Sequence, residues 1–200
     1  MRFFIAALSL FIVANVAIAQ DYQPMSFELD GNKFVANGVI DGDTLDAFED
    51  IVDEHPDIKV LVLQQVDGSV DDEANVEFAR IVRELEFTTI VPSDGLIASG
   101  GTDLFLAGVK RVLETGACVG VHSWGAEDFV ATELPRSHEE HDRYLDYYDD
   151  VGVDEGFYWF TLEAAPADKM HWMSKGEVNK FNVATNDVGN LSASSACNTR

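Results

Sequence analysis

A serine and a histidine in the middle of the chain have the residue types and the spacing of a hydrolytic site. Ser99 is followed by two glycines and an apolar, helix-like run, and His122 comes 23 positions later at the end of a short β-type run. Upstream, another apolar run stops at the turn Asp67-Gly68. In such a site the serine is the nucleophile and the histidine its base, while the amides of Gly68 and Gly100 donate to an oxyanion. The stretch therefore predicts acyl transfer.

Both side chains also have a purely structural interpretation. A serine that precedes a helix commonly caps it through the backbone amides of the first turn. A histidine at a strand end commonly satisfies one local hydrogen bond. Serine is a poor nucleophile at neutral pH unless a neighbour takes its proton, so the catalytic interpretation requires that Ser99 and His122 lie together.

A second cluster consists of His138, His141 and Asp142, spaced like ligands on one helix face. The cluster does not form the zinc motif His-Glu-x-x-His, because its second histidine comes one position early. We expect a solvated helix face here, and no metal or organic cofactor anywhere in the chain. Aromatic residues nearby are expected to form core or subunit contacts: Tyr144, Tyr147, Tyr148, Phe157, Tyr158, Trp159 and Phe160.

Hydrophobic periodicity divides the first half of the chain into alternating strands and helices. Strands are expected over residues 34–40, 58–64 and 88–91, and helices over 44–54 and 71–86. Continuous apolar runs are typical of strands that are buried on both faces. The alternation predicts an α/β fold with mostly parallel strands and right-handed crossovers.

In the second half, the helix that begins after Ser99 is expected to reach about Val109. Serine and glutamate three residues apart predict capping boxes at Ser137 and at Ser174, and Asp43 is expected to cap the helix over residues 44–54. The other expected elements are a strand over 117–121, helices over 137–150 and 154–165, a strand over 182–185 and a mobile polar tail over 186–200.

The N-terminal 19 residues have the pattern of a secretory signal peptide. Arg2 precedes a long apolar run that ends in Ala17-Ile18-Ala19, which predicts cleavage before Gln20. A retained membrane anchor is the alternative. We expect a short N-terminal segment over residues 20–33 and one domain over 34–185, in a periplasmic or secreted protein that does not contact the membrane after cleavage.

The composition excludes some partners and permits one covalent link. The chain has 36 acidic and 13 basic residues and a formal net charge of −23, so its surface should repel nucleic acid and anionic lipid. Cys118 and Cys197 make an even count, which permits a disulfide in an exported protein. Two unpaired thiols are the alternative.

Four segments together resemble the proteolytic subunit of the Clp protease, in its secreted, Clp-like periplasmic branch. They are LVLQQVDGSVDDEANVEFARIVRE, TTIVPSDGLIASGGTDLFLAG, VGVHSW and the stretch from His141 to Glu177, and the resemblance covers residues 34–185. Two positions depart from that family. Asp67 stands where the family usually has a glycine, and the cysteines that often flank the serine in its secreted members are replaced by Ile97 and Gly101.

The resemblance implies a ClpP/crotonase-like spiral of βαβ units and cleavage of peptide or protein substrates. It also implies Ser99 as nucleophile, His122 as base and Asp168 as the acid that orients the histidine, and it implies assembly with copies of the same chain. Two other functions stay open at this point. One is a catalytically silent binding or assembly protein, and the other is a crotonase-type enzyme that acts on an acyl thioester.

Overall fold

The computed structural model describes residues 22–126 and 129–200, so the expected signal peptide and its cleavage site lie outside the described residues. Within these ranges eight strands form one sheet. The strands are Ser26–Asp30 (β1), Lys33–Asn37 (β2), Val60–Val66 (β3), Thr88–Val91 (β4), Leu96–Ala98 (β5), Lys110–Leu113 (β6), Cys118–Val121 (β7) and His171–Trp172 (β8). The helices are Thr44–Glu54 (α1), Asp72–Glu84 (α2), Gly100–Leu106 (α3), Asp142–Asp150 (α4), Glu155–Ala164 (α5), Lys175–Lys180 (α6) and Ser194–Cys197 (α7).

The sheet forks at β3. The first residues of β3, Val60 to Val62, pair with β4, whereas Gln65 and Val66 pair with β5. From β4 the sheet continues to β6, and from β5 it continues to β7 and β8. All of these pairs are parallel except β7 with β8, and the β1–β2 hairpin at the other edge is antiparallel. The expected α/β class with mostly parallel strands is therefore confirmed.

The core lies between the sheet and the amphipathic helices α1 and α2. The ring centroid of Phe48 on α1 lies 4.9 Å from that of Phe78 on α2 and 5.3 Å from that of Phe87, and all three side chains are fully buried. Burying each such side chain contributes about 1.5–3 kcal/mol. These contacts hold α2 against the sheet, and α2 begins beside the candidate site.

Two of the expected helix caps differ in the structure. Asp43 makes no side-chain cap, because the carboxylate of Asp41 instead accepts from the Asp43 amide at 3.2 Å and from the Thr44 hydroxyl at 3.0 Å. Ser137 forms no capping box, because the helix starts later and Nδ1 of His138 accepts from the amide of Glu140. The capping box at Ser174 is present at the start of α6.

Four short strands of the described ranges, β1, β5, β6 and β8, were not expected from the sequence. The helix after Ser99 ends at Leu106 rather than near Val109, and Lys110–Leu113 is a strand. Residues 182–185 form no strand. The chain turns at Asn182, which has a φ of 51°, and Thr185 then bonds to Arg111 of β6.

The segment over residues 186–200, expected to be a mobile tail, is bonded to the sheet. The side-chain amide of Asn186 bonds to both the N–H and the carbonyl of Leu113. Cys197 in α7 forms a disulfide with Cys118 at the start of β7, and their Cα atoms are 5.7 Å apart. Arg200 donates to the carbonyl of Gly95 at 3.0 Å. None of the helices in the described ranges is long and apolar enough to cross a membrane.

Candidate active site

The topology of the sheet brings the three expected site segments together. Strand β5 lies between β3 and β7, and all three strands run in the same direction. The turn Asp67-Gly68 follows β3, Ser99 follows β5 and His122 follows β7. Because the carboxyl ends of parallel strands meet at one edge of a sheet, the structure places Gly68, Ser99 and His122 at the same edge.

Ser99 lies on a strained turn between β5 and α3. Its φ is 52° and its ψ is −128°, an unusual conformation for a residue with a side chain. Such strain costs about 1–3 kcal/mol and commonly marks functional sites. The Ser99 amide donates to the carbonyl of Gly120 at 3.1 Å, and the Thr102 hydroxyl donates to the same carbonyl at 2.8 Å. This turn, like a nucleophile elbow, leads sharply from a strand into a helix.

The hydroxyl of Ser99 does not cap α3. Within the described ranges it has no hydrogen-bond partner, and the residue is half-buried. The structural interpretation of Ser99 as a helix cap therefore does not describe this geometry, and its Oγ is available to a substrate.

Glycine is required at both positions expected to supply the oxyanion hole. Gly68 has a φ of 144°, and a Cβ there would lie 3.1 Å from Cβ of Ser99. A Cβ on Gly100 would lie 2.5 Å from Oγ of Ser69 and 2.8 Å from Nδ2 of Asn75. The N–H of Gly100 opens α3 and is one of the first-turn donors that a helix leaves unpaired. The Gly68 N–H likewise has no partner in the described part of the chain, so both amides can donate to a developing negative charge.

Asp67, the residue at a position where glycine was expected, lies outside this arrangement. Its side chain is exposed, and its carboxylate accepts a hydrogen bond from Nε2 of Gln65 at 2.6 Å. The side chain of Asp67 is not among those that line the cavity beside Ser99.

The hydrogen bond of His122 determines which ring nitrogen can act as a base. Nδ1 lies 2.6 Å from the carbonyl oxygen of Ser123. A carbonyl can only accept, so Nδ1 carries a proton, and Nε2 is the nitrogen that has the lone pair in the neutral ring. Nε2 has no hydrogen-bond partner in the described part of the chain. The amide of Ser123 donates to the carbonyl of Ala165 at 2.8 Å, and this bond fixes the backbone of Ser123 beside His122.

Asp168 is not bonded to His122 in the described part of the chain. Asp168 is exposed in the turn after α5, and among the described residues no hydrogen bond joins its carboxylate to the imidazole. The backbone carbonyl of Ser123 occupies the orienting position that was expected for Asp168. Sequence reasoning had no signal for this contact, because every residue has a carbonyl.

Ser99 and His122 line one cavity of about 40 Å³ together with two carboxylates that the sequence analysis missed. We call this space the acidic cavity, and the residues that define it are Asp72, Ser99, Asp103, His122, Tyr144 and Tyr148. No hydrogen bond joins Ser99 to His122 in the described ranges. The two side chains therefore share a cavity without forming a closed pair.

The two carboxylates of the acidic cavity accept hydrogen bonds from tyrosines on α4. The Tyr144 hydroxyl donates to Asp72 at 2.6 Å, and the Tyr148 hydroxyl donates to Asp103 at 2.6 Å. Burial raises the pKa of Asp103 to about 7, although the bond from Tyr148 lowers it, and the nearby negative charge of Asp72 raises it further. Burial and Asp72 likewise raise the pKa of Tyr144, so this hydroxyl remains a donor.

A spacing signal for these carboxylates exists in the sequence. Asp72 comes four residues after Gly68, and Asp103 comes four residues after Ser99. Each lies in the first turn of the helix that follows a site strand, so both helices direct an acidic residue toward the same edge of the sheet.

The cluster of His138, His141 and Asp142 is not a solvated helix face throughout, and it is not a ligand set. His138 is used to cap the turn before α4. His141 is fully buried, and its Nδ1 lies 2.6 Å from the hydroxyl of Tyr158. Within residues 22–126 and 129–200, no group of three or more His, Cys, Asp or Glu side chains is arranged to hold a metal ion.

Comparison with solved structures places the fold. No protein-family model matches the chain, and no curated protein sequence matches it. The structure aligns with methylmalonyl-CoA decarboxylase at a TM-score of 0.51 and 8% sequence identity, over 90% of this chain and 72% of that chain. The chain has the ClpP/crotonase fold.

Two further solved structures align with TM-scores below 0.5. The ClpP protease catalytic domain from Plasmodium falciparum gives 0.48 at 15% identity, over 78% of this chain and 82% of that chain. DspI from Pseudomonas aeruginosa gives 0.49 at 15% identity, over 92% of this chain and 74% of that chain.

Proposed function

We propose that this protein is a serine hydrolase that cleaves peptide bonds through an acyl-enzyme on Ser99. Nε2 of His122 accepts the proton of the Ser99 hydroxyl as Oγ attacks the carbonyl carbon, and later returns it to the leaving amine. The amides of Gly68 and Gly100 donate to the oxyanion of the tetrahedral intermediate. Water then attacks the carbonyl carbon of the acyl-enzyme while Nε2 of His122 accepts its proton, and the acid product is released as Ser99 regains its proton.

One observation carries this proposal. Ser99 has a strained backbone and shares a cavity with His122, and in the described part of the chain neither Oγ of Ser99 nor Nε2 of His122 has a hydrogen-bond partner. A helix-capping serine needs no such strain, and a structural histidine needs no such cavity. Peptide cleavage, rather than another acyl transfer, is inferred from the resemblance of residues 34–185 to the Clp proteolytic subunit.

An active-site phosphonate tests the nucleophile directly. A fluorophosphonate should label the wild-type protein at Ser99 and leave Ser99→Ala unlabelled. Ser137→Ala is the matched control, because Ser137 is exposed and forms no cap, and this variant should be labelled like the wild type. Labelling of Ser99→Ala, or no labelling of folded wild-type protein, would overturn the proposal.

A catalytically silent binding protein is the second candidate. The absence of a hydrogen bond between Ser99 and His122 in the described ranges favours it. A broad panel of fluorogenic peptides separates the two candidates, because a silent protein binds members of the panel without releasing product. Under the hydrolase proposal, turnover is seen in the wild type and lost in Ser99→Ala.

We further propose that the protein acts in the periplasm or outside the cell. The signal-like residues 1–19 support this location, and so does the disulfide between Cys118 and Cys197, since disulfides persist in oxidising compartments. Assembly with further copies of the chain remains a proposal from the resemblance. Sedimentation of the exported protein measures its mass, and N-terminal sequencing should find Gln20 first.

A further inference from the structure

The acidic cavity contains more hydrogen-bond acceptors than available side-chain donors. The hydroxyls of Tyr144 and Tyr148 already donate to Asp72 and Asp103. Thr102, a further lining residue, donates to the carbonyl of Gly120. Because these hydroxyl protons are committed, a group that enters the cavity meets mainly carboxylate oxygens that can accept further hydrogen bonds.

The other polar groups of the wall are committed in the same way. The indole N–H of Trp124 donates to the Tyr158 hydroxyl at 3.0 Å, and the Thr161 hydroxyl donates to the carbonyl of Tyr158 at 2.8 Å. All three residues line the cavity. The Tyr158 hydroxyl lies 2.6 Å from Nδ1 of His141, and its proton is committed in the tautomer in which that nitrogen accepts. Apart from the proposed catalytic groups, the side chains that line the cavity in the described ranges then offer no free donor to a ligand.

The negative charge of the cavity has no cationic partner among residues 22–126 and 129–200. Neither Asp72 nor Asp103 forms an ion pair within the described ranges. Only Oδ1 of Asp103 accepts a hydrogen bond, which leaves Oδ2 without a partner in this part of the chain. The raised pKa of Asp103 has the same origin, because burial and Asp72 both disfavour its charge. A cation placed here would relieve that penalty.

We propose that the acidic cavity is a subsite for a primary ammonium group of the substrate, held by Asp103 with Asp72 beside it. An ammonium group has three donors, no acceptor and a positive charge, which complements this wall. The volume of about 40 Å³ admits a small head group rather than a complete peptide residue. The inference rests on the proposed function, since Ser99 lines the same cavity, and it specifies the substrates as amine-bearing peptides.

Matched peptide pairs test the subsite and identify the source of the amine. In the first pair, the residue before the scissile bond is N-terminal, and its α-amino group is free in one peptide and acetylated in the other. In the second pair, the residue before the scissile bond is lysine in one peptide and uncharged norleucine in the other. At pH 7.5 at least one pair should favour the amine by about tenfold or more in kcat/KM, the size expected for a charged hydrogen bond. The first pair reports an α-amino group and the second a lysine side chain. Equal rates within both pairs would overturn the inference.

The variant Asp103→Asn tests whether the preference for amine-bearing peptides arises in the acidic cavity. It keeps an acceptor for Tyr148 but removes the charge, so the preference should fall to about twofold or less while turnover of the uncharged peptides persists. Asp146→Asn is the charge-matched control on the exposed face of α4 and should keep the preference. An equal loss of rate for all substrates in Asp103→Asn would overturn the inference. If Asp103→Asn fails to fold, Asp72→Asn gives the same comparison.

Binding separates this inference from the hydrolase proposal. In Ser99→Ala, calorimetry should show tighter binding of the amine peptide than of its uncharged partner, and Asp103→Asn in that background should remove the difference. If the wild type cleaves nothing and this binding difference is present, the hydrolase proposal fails and the subsite stands. If both peptides bind equally in Ser99→Ala, the subsite is excluded whatever the activity.

Discussion

At the scale of single residues, His122 is oriented by a backbone carbonyl instead of a carboxylate. The bond from Nδ1 to the carbonyl of Ser123 selects the tautomer that leaves Nε2 free. A carbonyl stabilises the imidazolium less than a full negative charge would, because it carries only a partial charge. The proposed site therefore depends on the geometry of residues 122–123 rather than on a third ionised side chain.

Substitutions of His122 and Asp168 test whether the histidine is oriented by the Ser123 carbonyl or by the Asp168 carboxylate. His122→Ala should lower kcat by about 10²–10⁴-fold without loss of the fold, because the Ser99 proton then has no acceptor. Asp168→Asn should keep kcat within about twofold, since Asp168 is exposed and does not bond to His122. Peptide kinetics and circular dichroism measure both variants. Equal losses in the two variants would restore Asp168 as the orienting acid.

Gly68→Ala should impair the site more than the fold. The new Cβ would press on Cβ of Ser99, so labelling by a fluorophosphonate should slow by about tenfold or more. Gly31→Ala is the control, because Gly31 also has a positive φ, 63°, but nothing lies within 4 Å of the added Cβ. Both variants should lose about 1–2 kcal/mol of stability from the positive φ. Slow labelling in both variants would contradict the proposed contact.

Asp103 should make stability depend on pH. Its pKa is about 7 in the folded protein against an ordinary 3.8, so the folded state binds the proton more tightly than the unfolded state. The stabilising contribution is full below about pH 4 and is lost as the pH rises through about 7. The melting temperature of Asp103→Asn relative to the wild type should therefore increase between pH 4 and pH 8. If the melting temperatures of the two proteins change with pH by the same amount, Asp103 does not titrate in this range.

At the scale of elements, the two expected capping boxes give a direct comparison. In α6 the Ser174 hydroxyl and the Glu177 carboxylate bond reciprocally, whereas Ser137 forms no such bond. Ser174→Ala should reduce the free energy of unfolding by about 1 kcal/mol. Ser137→Ala should change it by less than about 0.5 kcal/mol. Urea denaturation measures both, and an equal cost would mean that the cap at Ser174 does not stabilise the protein.

The sequence predicted the elements with strong periodicity and missed the short ones. Helices α1 and α2 and strand β3 were predicted because their apolar positions recur over a full element. Strand β4 has only four residues, but all four are β-branched, which is typical of a strand. Strand β5 has three residues, too few for a pattern to show, and β6 begins with the two basic residues Lys110 and Arg111. Strand β5 pairs with β3 and β7, and β6 pairs with β4, so both strands depend on edges that only the assembled sheet reveals.

Some residues of the candidate site were predicted from the sequence, and others were missed. Ser99, His122 and the two glycines follow from strand ends and turn residues, which leave marks in the sequence. Asp72 and Asp103 share their spacing after Gly68 and Ser99, but among 36 acidic residues this spacing was too weak to select them, and the hydrogen bonds from α4 are what distinguish the two. Asp168 was predicted from its position along the chain, and the contact between His122 and the Ser123 carbonyl could not be predicted in that way.

At the scale of the whole molecule, one disulfide links the C-terminal segment to the strand that precedes His122. Cys118 and Cys197 are 79 positions apart, so reducing their bond should cost about 4 kcal/mol in the chain-entropy model. A reductant should therefore lower the melting temperature of the wild type and leave Cys118→Ala/Cys197→Ala unchanged. An unchanged wild-type melting temperature, with thiol counting that shows complete reduction, would contradict this prediction.

The position of Cys197 also sets the order in which the molecule can be completed. All eight strands precede Cys197 in the chain, so the ribosome must supply every strand before the bond to β7 can close. A nascent chain that has already paired β3, β5 and β7 still carries a free thiol at the amino end of β7, the end opposite to His122. Closure of the bridge is thus a late maturation step, and the strand that leads to His122 receives its covalent restraint only then.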